Sequence, residues 1–287
     1  MSADGLAVAP CRLAPAGAFS IEQLTSAYNQ TRVDYLVPMP MNAARLAEYL
    51  HVYDVDVNRS VVALDDEDRI VGLAMLGVRP GRAWITRLGV VPTTRRHGVG
   101  ESLMRALLGW VGELGVDQTM LEVITNNMPA HRLFLKLGFR EVRELLVLLR
   151  PPGVALDPFS AQVLWHNRSE SLALLETRRV RPAWSNETES FCNAEYVLGL
   201  SVALTDGSRG WLVFQRQRFV IHRMTMVTEQ GDAFRVGRTL LSHLYRQHAF
   251  FDTHTENIQV DDPHLPALLE AGFVESFRRI EMHLHHA

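Results

Sequence analysis

The chain is short of cysteine. Cys11 and Cys192 are its only two, too few and too far apart for a disulfide framework or a zinc knuckle, which predicts a reduced, cytoplasmic setting. No apolar run approaches the ~18 residues that crossing a bilayer requires. The opening MSADGLAVAPCRLAPAG lacks the basic region and sustained apolar stretch of a signal peptide. Nor is there a surplus of positive charge: 29 Lys and Arg against 32 Asp and Glu give −3, so no global field draws the chain to nucleic acid or anionic lipid. Any anion site has to be local. A Gly-x-Ser-x-Gly elbow and a His-Glu-x-x-His helix are both missing, which leaves serine hydrolase and zinc protease chemistry without support.

What is present suits a globular protein with ample core. Of 287 residues 47% are hydrophobic and 21% charged, and a length prior of about 150 residues per domain predicts two domains. The first half reads as mixed α/β. Helical patterns cover Ile21–Asn29 and Asn42–Tyr49. Two apolar runs around the acidic turn Asp65–Asp68 form a hairpin over Ser60–Val78, and RAWITRLGVV (Arg82–Val91) adds a third antiparallel strand. In VGESLMRALLGWVGELG, Leu103, Leu107, Trp110, Val111 and Leu114 share one helical face; Trp84 and Trp110 read as core. Thr119–Thr125 is β-rich, Asn127 reads as an N-cap, and Gly138 closes the following helix. EVRELLVLL ends the half as a strand, and Pro151-Pro152-Gly153 reads as the linker. Domains of 1–150 and 158–287 are therefore expected.

The second half repeats the first. Gly138-Phe139 and Gly272-Phe273 lie 134 positions apart, and at that offset Glu122 meets Glu256 and Asn127 meets Asp261. One block earlier Gly100 meets Gly237 at an offset of 137, with Val99 against Val236 and Leu103 against Leu240. Two blocks in the same order point to duplicated domains.

The stretch RRHGVGESL (Arg95–Leu103) sets Arg95, Arg96 and His97 beside Gly98 and Gly100 at a helix start. Unpaired N–H groups and the positive end of the dipole favour an anion there, and glycines let phosphate oxygens approach several N–H groups together. No Lys-Ser/Thr follows the glycines, and Leu103 occupies the third glycine position of a dinucleotide fingerprint, so neither nucleotide motif applies.

Val90–Leu103, VVPTTRRHGVGESL, resembles the pyrophosphate-binding motif of the GCN5-related N-acetyltransferases, the GNAT superfamily, with Arg95, Gly98 and Gly100 at its defined positions. LEVITNNMPAHRLFLKLGF (Leu121–Phe139) resembles the family's later motif. The resemblance covers nearly all of residues 10–150. It implies two tandem GNAT-like domains, each a mostly antiparallel sheet flanked by helices, with a splayed strand pair that holds the cofactor in the first. It also implies transfer of an acetyl group from acetyl-CoA to an amine acceptor, a small molecule or a protein N-terminus, without a metal. The loop Arg95, Arg96, His97, Gly98, Val99, Gly100, Glu101 and Ser102 would cradle the diphosphate. Leu88, Gly89, Val90 and Val91 would hold the pantetheine arm and polarise the thioester, and Asn127 and Phe134 would lie against the cofactor. Glu122 stands where the ribosomal-protein-alanine acetyltransferase branch has its base; its other reading is a mid-strand glutamate that is solvated or paired with an arginine. The family's usual proton donor to the CoA sulfur is a tyrosine, and Phe134 takes its place. Tyr35 could reach the substrate side, and otherwise lines the core. The acceptor is expected against Thr31–Met41, with the second half as a further candidate for holding it.

In the second half Asp232, Phe234 and Arg235 replace Arg95, His97 and Gly98. A carboxylate repels a diphosphate and a side chain blocks backbone approach, so this half is expected to bind no CoA. A catalytically silent acyl-CoA sensor or scaffold is the alternative to an enzyme. Nucleic acid and membrane are not expected partners, and the chain is expected to be a monomer or homodimer. His283, His285 and His286 read as a solvated tail.

Overall fold

A computed structural model describes residues 11–286. In the first unit the chain runs β1 (Arg12–Pro15), α1 (Ile21–Gln30), α2 (Ala43–Val52), β2 (Val61–Leu64), β3 (Ile70–Arg79), β4 (Arg82–Val90), α3 (Val99–Leu114), β5 (Gln118–Ile124) and α4 (Met128–Lys136). Strands β1 to β4 pair antiparallel in chain order, and β4 pairs with β5 in parallel. Helix boundaries follow local chemistry. Ser20 and Gln23 form a capping box at the start of α1, Asn42 caps α2 and Asn127 caps α4, each side chain filling an N–H that has no partner within the helix. Leu24, Tyr28 and Leu46 pack on Val62, Leu73 and Met75, all fully or almost fully buried. The apolar face of α3 is likewise buried at Leu103, Leu107 and Val111, whereas Trp110 is half-buried at its border rather than in the core.

The remaining elements are β6 (Arg140–Arg150), β7 (Ala161–His166), α5 (Arg168–Glu176), α6 (Thr188–Asn193), β8 (Val197–Leu204), β9 (Arg209–Gln217), β10 (Val220–Gln230), α7 (Ala233–Gln247), β11 (Asp252–Gln259), α8 (Leu265–Glu270) and β12 (Val274–His285). Strands β7 to β10 pair antiparallel in sequence and β10 pairs with β11 in parallel, the same plan as the first unit. Its core joins Leu200, Leu212 and Phe214 to Leu240, Leu244 and Tyr245.

The boundary between the units is not where the sequence places it. One unit is residues up to Glu141 together with those from Met282 onward; the other is Val142–Glu281. Most of β6 therefore does not close the first half. It pairs antiparallel with β11, because strand partners are chosen by long-range hydrogen bonding and apolar fit rather than by adjacency in sequence. Pro151-Pro152-Gly153 lies within the second unit, where the Arg150 guanidinium donates to the carbonyls of Pro151 and Gly153. The end of β12 belongs to the first unit. There the His286 N–H donates to the Asp117 carbonyl at 3.0 Å, and the His283 and His286 rings meet Gln118 and Thr119 at 3.0 and 2.8 Å. His283 and His285 lie on β12 and His286 follows it, bonded to Asp117 and Thr119, so they are not a solvated tail.

Candidate active site

β4 and β5 pair only over Arg82–Trp84 against Gln118–Met120. On its other edge β4 keeps β3, with Thr86 opposite Met75 and Gly89 opposite Leu73. Two residues, Arg87 and Leu88, thus face one, Ala74. This is a bulge, and it bends and twists a strand; Arg87 adopts φ 55°. Beyond Trp84 the strand no longer pairs with β5, and Leu88, Gly89 and Val90 lie on this parted stretch, with Val91 just after it.

After β4 the chain turns through Pro92–Thr94 into α3. Gly98 is its N-cap, at φ 82° in the left-handed region, with no side-chain cap. Such a φ strains any residue with a Cβ. A Cβ on Gly98 would meet nothing within 4 Å, so the space before the first turn is open. The first intrahelical bond is Ser102 N–H to Gly98 C=O at 3.0 Å, which leaves the N–H groups of Val99, Gly100 and Glu101 pointing out of the helix start. Arg96 and His97 are exposed and Val99 is buried. Glu101 is bonded to Lys136 and Arg105, which together hold its carboxyl below the usual range.

Arg95 is arranged differently from the rest of the loop. Its Nε donates to Val90 C=O at 2.9 Å, its terminal nitrogens grip both oxygens of Asp34 at 2.7 Å, and one also reaches Thr31 C=O at 3.2 Å. The guanidinium ties the end of β4 to the segment after α1, and that bond lowers the Asp34 pKa.

Glu122 lies on β5, half-buried, and accepts a hydrogen bond from Trp84 Nε1 at 2.8 Å. Trp84 is buried as expected, yet it also orients a carboxylate. Around it stand Tyr49 and Tyr53, with ring centroids 6.2 and 5.6 Å from Trp84. Tyr49 shares a 2.6 Å hydrogen bond with Thr86, and burial drives its pKa upward. The Arg87 guanidinium sits 4.1 Å from the Tyr49 ring centre and donates to Tyr28 Oη at 3.1 Å. Arg32 stacks on Tyr28 at 4.3 Å and on Tyr35 at 4.8 Å. Of this cluster the sequence reading singled out Glu122 and Tyr35 for chemistry. It passed over Tyr28, Arg32, Tyr49 and Arg87, although Tyr28/Arg32 and Tyr49/Tyr53 each stand four apart, the spacing of one helical face. Phe134 is buried, its ring 6.2 Å from Phe139. Asn127 accepts from Ala130 N–H, at 3.4 Å. Among the described residues no group of three or more His, Cys, Asp or Glu is placed to hold a metal, and no helix is long and apolar enough to cross a membrane.

The second unit repeats the split: β10 and β11 pair in parallel only from Val220–His222 to Asp252–His254. A cavity of about 790 Å³ lies in this unit, between Thr225–Glu229 and Asn257–Gln259. Its helix start is filled, however. The Asp232 side chain caps α7 by accepting from Arg235 N–H at 3.1 Å, and the Arg235 guanidinium faces Asp206 at 3.0 Å.

The profile of the acetyltransferase (GNAT) family matches residues 22–139. The chain is 35% identical over 81 residues to a mycothiol acetyltransferase of Clavibacter sepedonicus, a match that spans 28% of this chain and 27% of that protein. It is 31% identical over 93 residues to a spermine/spermidine N(1)-acetyltransferase of Bacillus subtilis, spanning 29% of this chain and 61% of the relative. The chain thus matches about a quarter to three-fifths of these relatives' lengths. A tandem GNAT protein from the clavulanic acid biosynthesis pathway superposes with a TM-score of 0.65 at 12% identity, over 96% of this chain and 98% of that one, and so shares the fold. Residues 22–139 thus match the GNAT acetyltransferase family, and the chain as a whole shares the fold of a tandem GNAT protein, with a strand pair that parts beside a helix start in each unit.

Proposed function

We propose that the first unit moves an acetyl group from acetyl-CoA to a primary amine by direct attack. The observation that carries this reading is the pairing of an open helix start at Gly98 with a tryptophan-oriented carboxylate, Glu122, on the two strands that part. Glu122 accepts a proton from the ammonium, directly or through one water, and frees the nitrogen lone pair. The nitrogen attacks the thioester carbon, and the C–S bond breaks as the amide forms. The CoA sulfur leaves as a thiolate. Phe134 has no proton to give, and a thiol pKa near 8.5 makes unassisted departure tolerable. The diphosphate rests on the N–H groups that open α3, with Arg96 and His97 contributing charge. In the second unit the Asp232 carboxylate already caps the helix start by accepting from Arg235 N–H, and it repels a diphosphate, so that unit takes no CoA. The site is expected to work in the cytoplasm.

Thiol release from acetyl-CoA over a panel of amines tests this directly. Glu122→Gln is expected to lower kcat by about 10²–10⁴-fold while calorimetric CoA binding stays unchanged. Because Phe134 removes the family's proton donor, a silent acyl-CoA sensor is the competing reading. CoA binding with no turnover on any amine, or full activity in Glu122→Gln, would decide for it.

A further inference from the structure

We infer that the acceptor amine carries an acidic group, a carboxylate in an amino-acid-like molecule, and that Arg32 and Arg87 bind it. This rests on the acetyl-transfer reading above and names the substrate class.

Two guanidiniums converge on one tyrosine. Arg32 lies 4.3 Å and Arg87 5.3 Å from the Tyr28 ring centre. Arg87 also covers Tyr49, and Tyr49 lies 6.2 Å from Trp84, whose Nε1 donates to Glu122. The base and the cations therefore lie along one aromatic row, Trp84, Tyr49 and Tyr28, an arrangement that suits a small molecule bearing both an amine and an acid. Arg32 is underused by the protein. Its Nε is buried without a hydrogen-bond partner, and its terminal nitrogens reach Thr31 Oγ1 at 3.1 Å and the Leu88 carbonyl only at 3.5 Å. Burying a guanidinium with so few acceptors is costly, and an anion accepting from its terminal nitrogens recovers part of that cost. The acid on the same segment, Asp34, is spoken for by Arg95. Proximity to Arg87 adds to burial in lowering the Arg32 pKa, so each cation gains from an anion placed between them. A guanidinium over a tyrosine face also holds its plane fixed, which suits bidentate capture of a carboxylate. The same field opposes the extra ammonium groups of a polyamine.

The test uses the full chain and matched pairs: free amino acids, β-alanine and 4-aminobutyrate against their amides, with spermidine as the polycation. Turnover is read by thiol release, and binding by calorimetry in the presence of CoA. At least one acid is expected to exceed its amide by about 10–100-fold in kcat/KM, the range of a charged hydrogen bond. Arg32→Gln and Arg87→Gln should each collapse that ratio, chiefly through KM, with Arg32→Lys restoring part of it. Circular dichroism and CoA binding report that the variants fold. Amides or spermidine used as well as the acids, or a ratio that survives both glutamine variants, overturns the inference and leaves acetyl transfer standing. Acid binding that is lost in Arg32→Gln, without any turnover, sustains the acid site at Arg32 and overturns acetyl transfer. Neither binding nor turnover overturns both.

Discussion

Arg95 ties its loop to a segment distant in sequence. Its bonds to Asp34 and Thr31 draw the segment after α1 onto the end of β4, and Arg32, one residue on from Thr31, then lies over the Leu88 carbonyl. The Asp34 carboxylate competes with any diphosphate for the Arg95 charge. The pair is substantially exposed, at 38% and 50%, where such an ion pair contributes at most about 1 kcal/mol. Asp34→Ala is therefore expected to tighten CoA binding by about two- to fivefold, read by calorimetry. Unchanged or weaker binding would mean that Arg95 only staples the segment. The sequence made the loop legible because Arg95, Gly98 and Gly100 are adjacent and glycine at a helix start has a local cause. It could not show that Arg95 turns towards Asp34, since that partner lies 61 positions away.

Among the elements, α7 sets two electrostatic effects against each other at its end. His248 is its C-cap, where the helix dipole favours an imidazolium by roughly 0.3–1 kcal/mol. Burial works the other way and is the larger cause, with Arg216 adding to it, so the pKa is lowered. The ring lies among Phe214, Phe251 and Trp165, and its Nε2 is buried with no hydrogen-bond partner. The unfolded chain takes up this proton first, near pH 6.5. Stability that is intact above that pH is lost as pH falls towards the lower folded value. His248→Phe should flatten the fall in urea midpoint between about pH 7 and 5; an unaltered slope would show that other groups carry it. The helices themselves were legible from period and caps, as α1, α3 and α4 illustrate.

At the scale of the whole molecule, membership of the two units departs from chain order. Residues from Met282 onward finish the first unit, and Met282 is fully buried. Met282→Ala is expected to cost about 2–5 kcal/mol, seen as a lower unfolding midpoint with acetyl-CoA binding as the readout of the first unit. A loss confined to the second unit would contradict the assignment. Duplication was visible in the sequence because each copy keeps its own Gly-Phe ending and helix face, and the parting strands recur in both units.

The sequence by itself determined the order of helices and strands, the open glycine start of α3, the position of Glu122 and the loss of the matching start in the second copy. All of these are written in spacings of two to four residues or in side-chain bulk at one backbone position. Tertiary structure alone decided that most of β6 joins the second unit, that the C-terminal strand ends in the first, and that Tyr28, Arg32, Tyr49 and Arg87 meet. Strand partnership and side-chain convergence are settled by hydrogen bonding and burial between distant segments, and no local period records them.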